Sequence, residues 1–178
     1  MLIYMSMQDR INNLCSEKRL IETVFGGPFR VVRTLYLSPE VHSLISGTAR
    51  GLTSEKLGRW LQTRAWFEHF VDGKRITLKD KPKSRAQLAR LEPPEDEIWE
   101  VRENKPVPSL RVLGSFVVKK DVFVALTPSE HPQGRRDSPE WKGLVSKYKT
   151  HWEELFHGYE PLKGKYPDDY LSNAITLD

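Results

Sequence analysis

The chain has one cysteine, Cys15, in 178 residues. A lone cysteine forms no internal disulfide, so the core alone has to hold the fold, and a reducing cytoplasm is the expected compartment. No run of about 18 apolar residues occurs, so neither a transmembrane helix nor a membrane partner is expected. The opening MLIYMSMQDRINN lacks a basic flank and a sustained apolar stretch, and it does not read as a secretion signal. Neither GxGxxG nor GxxxxGKS/T is present, which excludes the common phosphate-cradling loops, and no cofactor is expected. A GxSxG elbow is missing as well. The five histidines, His42, His69, His131, His151 and His157, lack the spacing of zinc ligands, so no metal site is expected.

What is present suits one soluble globular domain. The apolar fraction is 38% and the charged fraction 29%. At this length the chain can bury a substantial core but is short for two domains. The net charge of +4 is unevenly spread. Arg50 to Arg90 holds eleven Lys or Arg against four acids, whereas Leu91 to Asn104 holds six acids and only Arg102. Such asymmetry points either to a polyanionic partner for the basic part or to a solvated basic helix face and loop.

The stretch Ile98 to Thr127 reads as a meander. Three β-branched and aromatic runs, Ile98–Arg102, Leu110–Val118 and Asp121–Thr127, are split by a Pro-rich gap and by Lys119-Lys120. Gaps this short predict antiparallel neighbours, because parallel ones need a longer crossover. Before the meander, Ser6 with Asp9 forms a capping box at a first helix. Phe29–Leu37 reads as a strand, and Ser38-Pro39 starts a brief helix. A longer helix runs from Thr53-Ser54 to Val71, with Leu57, Trp60, Leu61, Ala65 and Phe67–Phe70 as its apolar stripe and Lys56, Arg59 and Arg64 on the other face. Trp60, Trp66 and Phe70 are read as core residues, not as a base-stacking platform. Ile76–Leu78 reads as a short strand and Ser84–Leu91 as a short helix stopped by Pro93-Pro94.

After the meander, Ser138-Pro139 starts a helix to about Phe156. Trp141, Leu144, Val145, Tyr148, Trp152, Leu155 and Phe156 recur at spacings of three and four along it. The expected organisation is one α+β domain over residues 1–158 with an irregular tail over 159–178.

Candidate functional residues are basic. Alternation along the second strand puts Arg111 opposite Leu110 and Val112. A long cation there meets solvent, a carboxylate such as Glu100 or Glu103, or a phosphate. Arg102 sits in the neighbouring strand. Lys119 and Lys120 occupy the hairpin tip. Lys81, Lys83 and Arg85 belong to the basic segment, and His131 follows the third strand, where it is either a plain loop residue or an acid/base group.

The blocks IWEVRE, SLRVLGSFVV and DVFVAL after a basic helical run resemble the RelE/HigB/ParE-like toxin superfamily, in particular its phage-derived branch. Ile98, Trp99, Glu100 and Arg102 match the first block of that pattern, Arg111 and Val112 the second, and Val122–Leu126 the third. The resemblance covers about residues 52–131. It implies a twisted antiparallel sheet packed by helices, and a metal-independent endoribonuclease acting on messenger RNA at the ribosome, held in check by a cognate antitoxin. It also implies that Arg111 meets phosphate and that His131 near the sheet's end is a proton donor. From their charge and placement, Lys119 is expected to assist, and Arg102, Lys120, Lys81, Lys83 and Arg85 to bind nucleic acid. TPSEHPQG departs from the family's usual strand ending and lysine pair. The alternative expectation is a non-catalytic interaction protein of mobile-element origin that binds a protein partner through the same sheet.

Overall fold

The computed structural model describes residues 5–25, 31–79, 86–103, 108–130 and 137–176. In chain order the first elements are α1 (Met7–Ser16), β1 (Ile21–Glu22), β2 (Thr34–Leu37), α2 (Pro39–Ile45) and α3 (Ser54–Val71). Next come β3 (Ile76–Lys79), β4 (Leu88–Arg90), β5 (Trp99–Glu103), β6 (Leu110–Phe116) and β7 (Val122–Glu130). The chain continues through α4 (Pro139–Phe156), α5 (Pro167–Tyr170) and β8 (Ala174–Thr176).

The helix starts follow from local chemistry. Ser6, Ser38, Thr53 and Ser138 each accept a hydrogen bond from the backbone N–H three residues on, and Asp9 completes the capping box at Ser6. Pro39 and Pro139 take first-turn positions, where a missing N–H costs nothing.

The strands form one mixed α+β sheet in the order β1-β2-β7-β6-β5-β4-β3-β8. The meander is antiparallel throughout: β4 pairs β5, β5 pairs β6 and β6 pairs β7. β2 lies parallel to β7, and β3 lies parallel to both β4 and β8. A bulge falls at Leu113/Gly114. A side chain at Gly114 would sit 2.6 Å from the Phe123 ring, so only glycine allows the two strands to approach there.

Both faces of the sheet are covered. On one, α2 and α3 pack Val41, Trp60, Phe67 and Phe70 against Leu35, Trp99, Val112, Phe116 and Phe123. On the other, α1 and α4 pack Ile11, Leu14, Trp141, Tyr148 and Phe156 against Tyr36, Leu113, Val124 and Leu126. The α4 stripe is the one its spacing predicts, with Trp141, Leu144, Tyr148, Trp152, Leu155 and Phe156 all buried.

Several expectations need correction. Residues 86–91 hold no helix; Leu88–Arg90 is β4, paired with β5. Gln, Leu, Ala and Arg favour a helix locally, but Leu88 and Ala89 are fully buried between two strands, and that pairing overrides propensity. The α3 stripe is rotated from the expected one: Arg59, Thr63, Trp66 and Phe70 face inward, whereas Leu61 is 45% exposed. Extending the Trp66–Phe70 face back by whole turns lands on residues 59 and 63, not 61 and 65. β2 begins only at Thr34, with Val31 and Val32 exposed. The tail is not irregular: α5 and β8 lie in it, and Tyr170 and Leu171 are fully buried.

Two buried tyrosines give the fold an alkaline limit. Tyr148 shares a 2.6 Å hydrogen bond with Ser115, and burial pushes its phenol well above the ordinary range. Burial and then the Glu97 carboxylate push Tyr170 the same way. Above about pH 10 the unfolded chain ionises its tyrosines while the folded chain keeps these protons. Stability is therefore full below that pH and falls as pH rises, by about 1.4 kcal/mol per pH unit for each tyrosine. Urea melts of wild type and Tyr148→Phe between about pH 9 and 11 check this. The variant is expected to lose one tyrosine's share of the slope; identical slopes would remove Tyr148 from the account.

Candidate nucleic-acid interface

Strand register builds one polar end of the sheet. Arg102 lies opposite Arg111, Arg111 opposite Ser129, and Leu110 opposite Glu130. The Arg102 N–H donates to the Gln87 carbonyl at 2.8 Å, which brings the start of β4 to the same place.

Alternation along β5 puts Glu100 and Arg102 on one face, and the register adds Arg111 to it. Glu100 divides its carboxylate between the two arginines. One oxygen accepts from Arg102 Nε at 2.7 Å, and the other lies 2.7 Å from Arg111 Nε. Arg111 Nη1 also donates to the carbonyls of Leu110 at 2.8 Å and Glu103 at 3.3 Å. Glu100, Arg102 and Arg111 are only 1%, 5% and 6% exposed. Of the partners the sequence leaves open for Arg111, the Glu100 carboxylate is in contact with it. The pairing sets a carboxylate between two buried cations and orients both guanidinium planes.

Across the sheet a second cluster forms that sequence reading missed. Arg59, on the inward face of α3, donates through Nη1 to the Pro108 carbonyl at 2.7 Å and through Nη2 to Glu130 at 3.2 Å. Lys56 Nζ reaches the same Glu130 oxygen at 3.4 Å. The available signal was the i, i+4, i+7 relation of Arg59 to Thr63 and Trp66, which puts a cation on the buried stripe.

The other expected residues divide. Lys119 and Lys120 sit in the β6–β7 turn, at the far end of β6 from Arg111. The five steps from Arg111 to Phe116 already span roughly 17 Å of strand, so neither lysine shares a site with Arg111. His131, Lys81, Lys83 and Arg85 lie outside the described residues. Among the described residues no cluster of His, Cys, Asp and Glu could hold a metal ion, and no helix is long and apolar enough to cross a membrane.

Arg59, Lys56, Arg102 and Arg111 thus bring guanidinium and ammonium donors from α3, β5 and β6 to one end of the sheet. Such a set can bind phosphate esters by charge-assisted hydrogen bonds, with the arginine forks adding bidentate geometry. Compared with models of known protein families, with curated proteins and with solved structures, the chain has no significant match to any.

Proposed function

We propose that this chain is a toxin-like, RNA-directed protein of the RelE type that holds RNA phosphates at the polar end of its sheet. The observation that carries this reading is the convergence of Arg59, Lys56, Arg102 and Arg111 there, from positions scattered over 55 residues of sequence. The order of elements supports it too, since the helix pair α2–α3 precedes the antiparallel meander β4–β7.

The finer proposal is metal-independent cleavage. The RNA 2′-hydroxyl attacks the adjacent phosphorus, and the bond to the 5′-oxygen breaks. A base takes the 2′ proton and an acid protonates the leaving oxygen, so the products are a 2′,3′-cyclic phosphate and a 5′-hydroxyl. Arginines at the phosphate would stabilise charge growing on its oxygens. In this reading Glu100 fixes the plane of the Arg111 guanidinium, and His131 is the proton donor.

A single-stranded RNA oligonucleotide titrated against wild type, Arg111→Ala and Arg111→Lys, at two salt concentrations, tests the proposal. Wild-type affinity is expected to fall steeply with salt, since phosphate contacts release counterions. Arg111→Ala should weaken binding about tenfold or more, the loss expected of a charge-assisted bond, with Lys restoring part of it. Melting curves of the same variants separate function from stability. Lower melting beside unchanged affinity would make Arg111 purely structural. Absence of any salt-dependent RNA binding by wild type would end the RNA reading, and intact RNA after prolonged incubation would end the cleavage step. Growth arrest on induced expression, relieved by a neighbouring antitoxin gene, is the expected cellular counterpart.

A protein partner, under the alternative reading, finds neither sheet face open among the described residues. It would meet helix surfaces or the edge strands β1 and β8.

A further inference from the structure

We propose that Glu130 is a built-in occupant of an RNA-phosphate site formed by Arg59 and Lys56, and that an RNA phosphate displaces it. This rests on the RNA-directed reading above and adds a second phosphate position, with its own internal competitor, on the opposite face of the sheet end.

Arg59 is buried and held in place. Its side chain is 4% exposed, and the Pro108 carbonyl, 2.7 Å from Nη1, holds it in one orientation. The desolvation and ordering that an anion site needs of a guanidinium have therefore taken place on folding. The Nε–Nη2 edge of an arginine is a two-donor fork suited to two oxygens of one anion. Here the fork is half used. Nη2 meets Glu130 Oε1, while Nε has no hydrogen-bond partner among the described residues. A buried donor without a partner is costly, and a phosphate offers the second oxygen that closes the fork.

Glu130 itself is loosely held. Its side chain is 44% exposed, at the last residue of β7. Its contacts to Arg59 and Lys56 are 3.2 and 3.4 Å, against 2.7 Å for both contacts of the buried Glu100. A good charge-assisted bond lies near 2.7–2.9 Å, so Glu130 leaves much of the attraction unrealised. Its pair with Lys56 is exposed on both sides and its pair with Arg59 on the glutamate side, so solvent weakens both.

There is also room for a ligand. A cleft of about 320 Å³ opens beside the cluster, between the α2–α3 connection and the end of β7, lined among others by Arg50, Lys56, Trp60, Ser129 and Glu130. Lys56 is 49% exposed on its rim and free to follow a phosphate. A polynucleotide entering this cleft would meet Lys56 and Glu130 in its wall, and Arg59 only once Glu130, 3.2 Å from its Nη2, has moved aside.

Glu130→Gln keeps the shape of the side chain and removes its charge. Single-stranded RNA is expected to bind this variant roughly three- to tenfold more tightly than wild type, the factor that releasing the two ion pairs of a half-exposed carboxylate allows. Lys56→Gln should weaken RNA binding in both backgrounds, and by the larger factor in Glu130→Gln, where no carboxylate competes for the lysine. Melting of each variant confirms the fold, and Lys56 is exposed enough to replace without unfolding. Salt-dependent RNA binding by wild type with no gain in Glu130→Gln would overturn this inference and leave the RNA-directed reading standing. An equal effect of Lys56→Gln in both backgrounds would overturn it as well. Inorganic pyrophosphate is the second probe. If it binds Glu130→Gln more tightly than wild type while RNA binds neither, the site takes small anions, and both the RNA ligand and the RNA-directed reading are wrong.

Discussion

A chain ending at Gly158 is expected not to fold. The last twenty residues supply a wall of the core. The Tyr170 ring meets Trp99 at 4.8 Å and Phe116 at 5.5 Å, edge-on or tilted. Its hydroxyl lies 2.7 Å from both Glu97 carboxylate oxygens and accepts from Arg90 at 3.0 Å. Ser172 closes a second lock. Its N–H donates to Asp121 at 2.7 Å and its hydroxyl bonds the same carboxylate, while Arg33 Nη2 donates to the Ser172 carbonyl. Arg33 is 1% exposed and also donates to the Phe70 and Lys74 carbonyls at 3.1 and 2.9 Å. Burial pulls the Arg33 guanidinium below its ordinary range while Asp121 opposes the shift.

Truncation would open this core and strip a buried cation of one of its acceptors. Removing a buried large aromatic alone costs about 3–5 kcal/mol, a large part of the 5–15 kcal/mol that stabilises a typical domain. Tyr170→Ala is the graded version, expected to cost about that much in urea unfolding. The truncated chain is expected to lack a cooperative thermal transition. A shortened protein that melts like the full chain would reduce the tail to an appendage.

Replacing Glu100 by alanine is expected to destabilise the protein by about 3–5 kcal/mol, the cost of leaving buried charge without its counter-ion. Two guanidiniums, both nearly inaccessible to water, would lose the carboxylate they share. Glu100→Gln should fall between, because an amide oxygen still accepts one hydrogen bond but carries no charge. Replacing Glu100, Arg102 and Arg111 together by apolar residues of similar size should recover much of the loss, since apolar substitutes for a whole buried ion triad are often neutral or stabilising. Urea unfolding of the three variants measures this. Equal stability of Glu100→Ala and wild type would mean that water or other groups already balance the arginines. The RNA titration of Arg111→Ala has to be read against this series, because the same residue supports the sheet.

The parts of this protein that are legible in the sequence are those that local chemistry decides. Ser6 with Asp9, Ser38-Pro39, Thr53 and Ser138-Pro139 start helices because a cap needs only a hydroxyl three residues from an unpaired N–H. The α4 stripe and the β5–β6–β7 meander follow from periodicity and short gaps. Strand length likewise already separates Lys119 and Lys120 from Arg111.

What tertiary structure decided concerns pairs far apart in the chain. Leu88–Arg90 becomes a strand because β5 and β3 supply partners that its own residues do not encode. The tail becomes part of the core because Asp121 and Arg33, 51 and 139 residues from Ser172, bond to it. Arg59 faces inward because the α3 face is chosen by the sheet beneath Trp66 and Phe70. Glu100 meets Arg111 because the register of β5 on β6 puts the carboxylate one pleat away, on the same face. The candidate site consists of such long-range meetings, and sequence spacing carries no trace of them until the strands are in register.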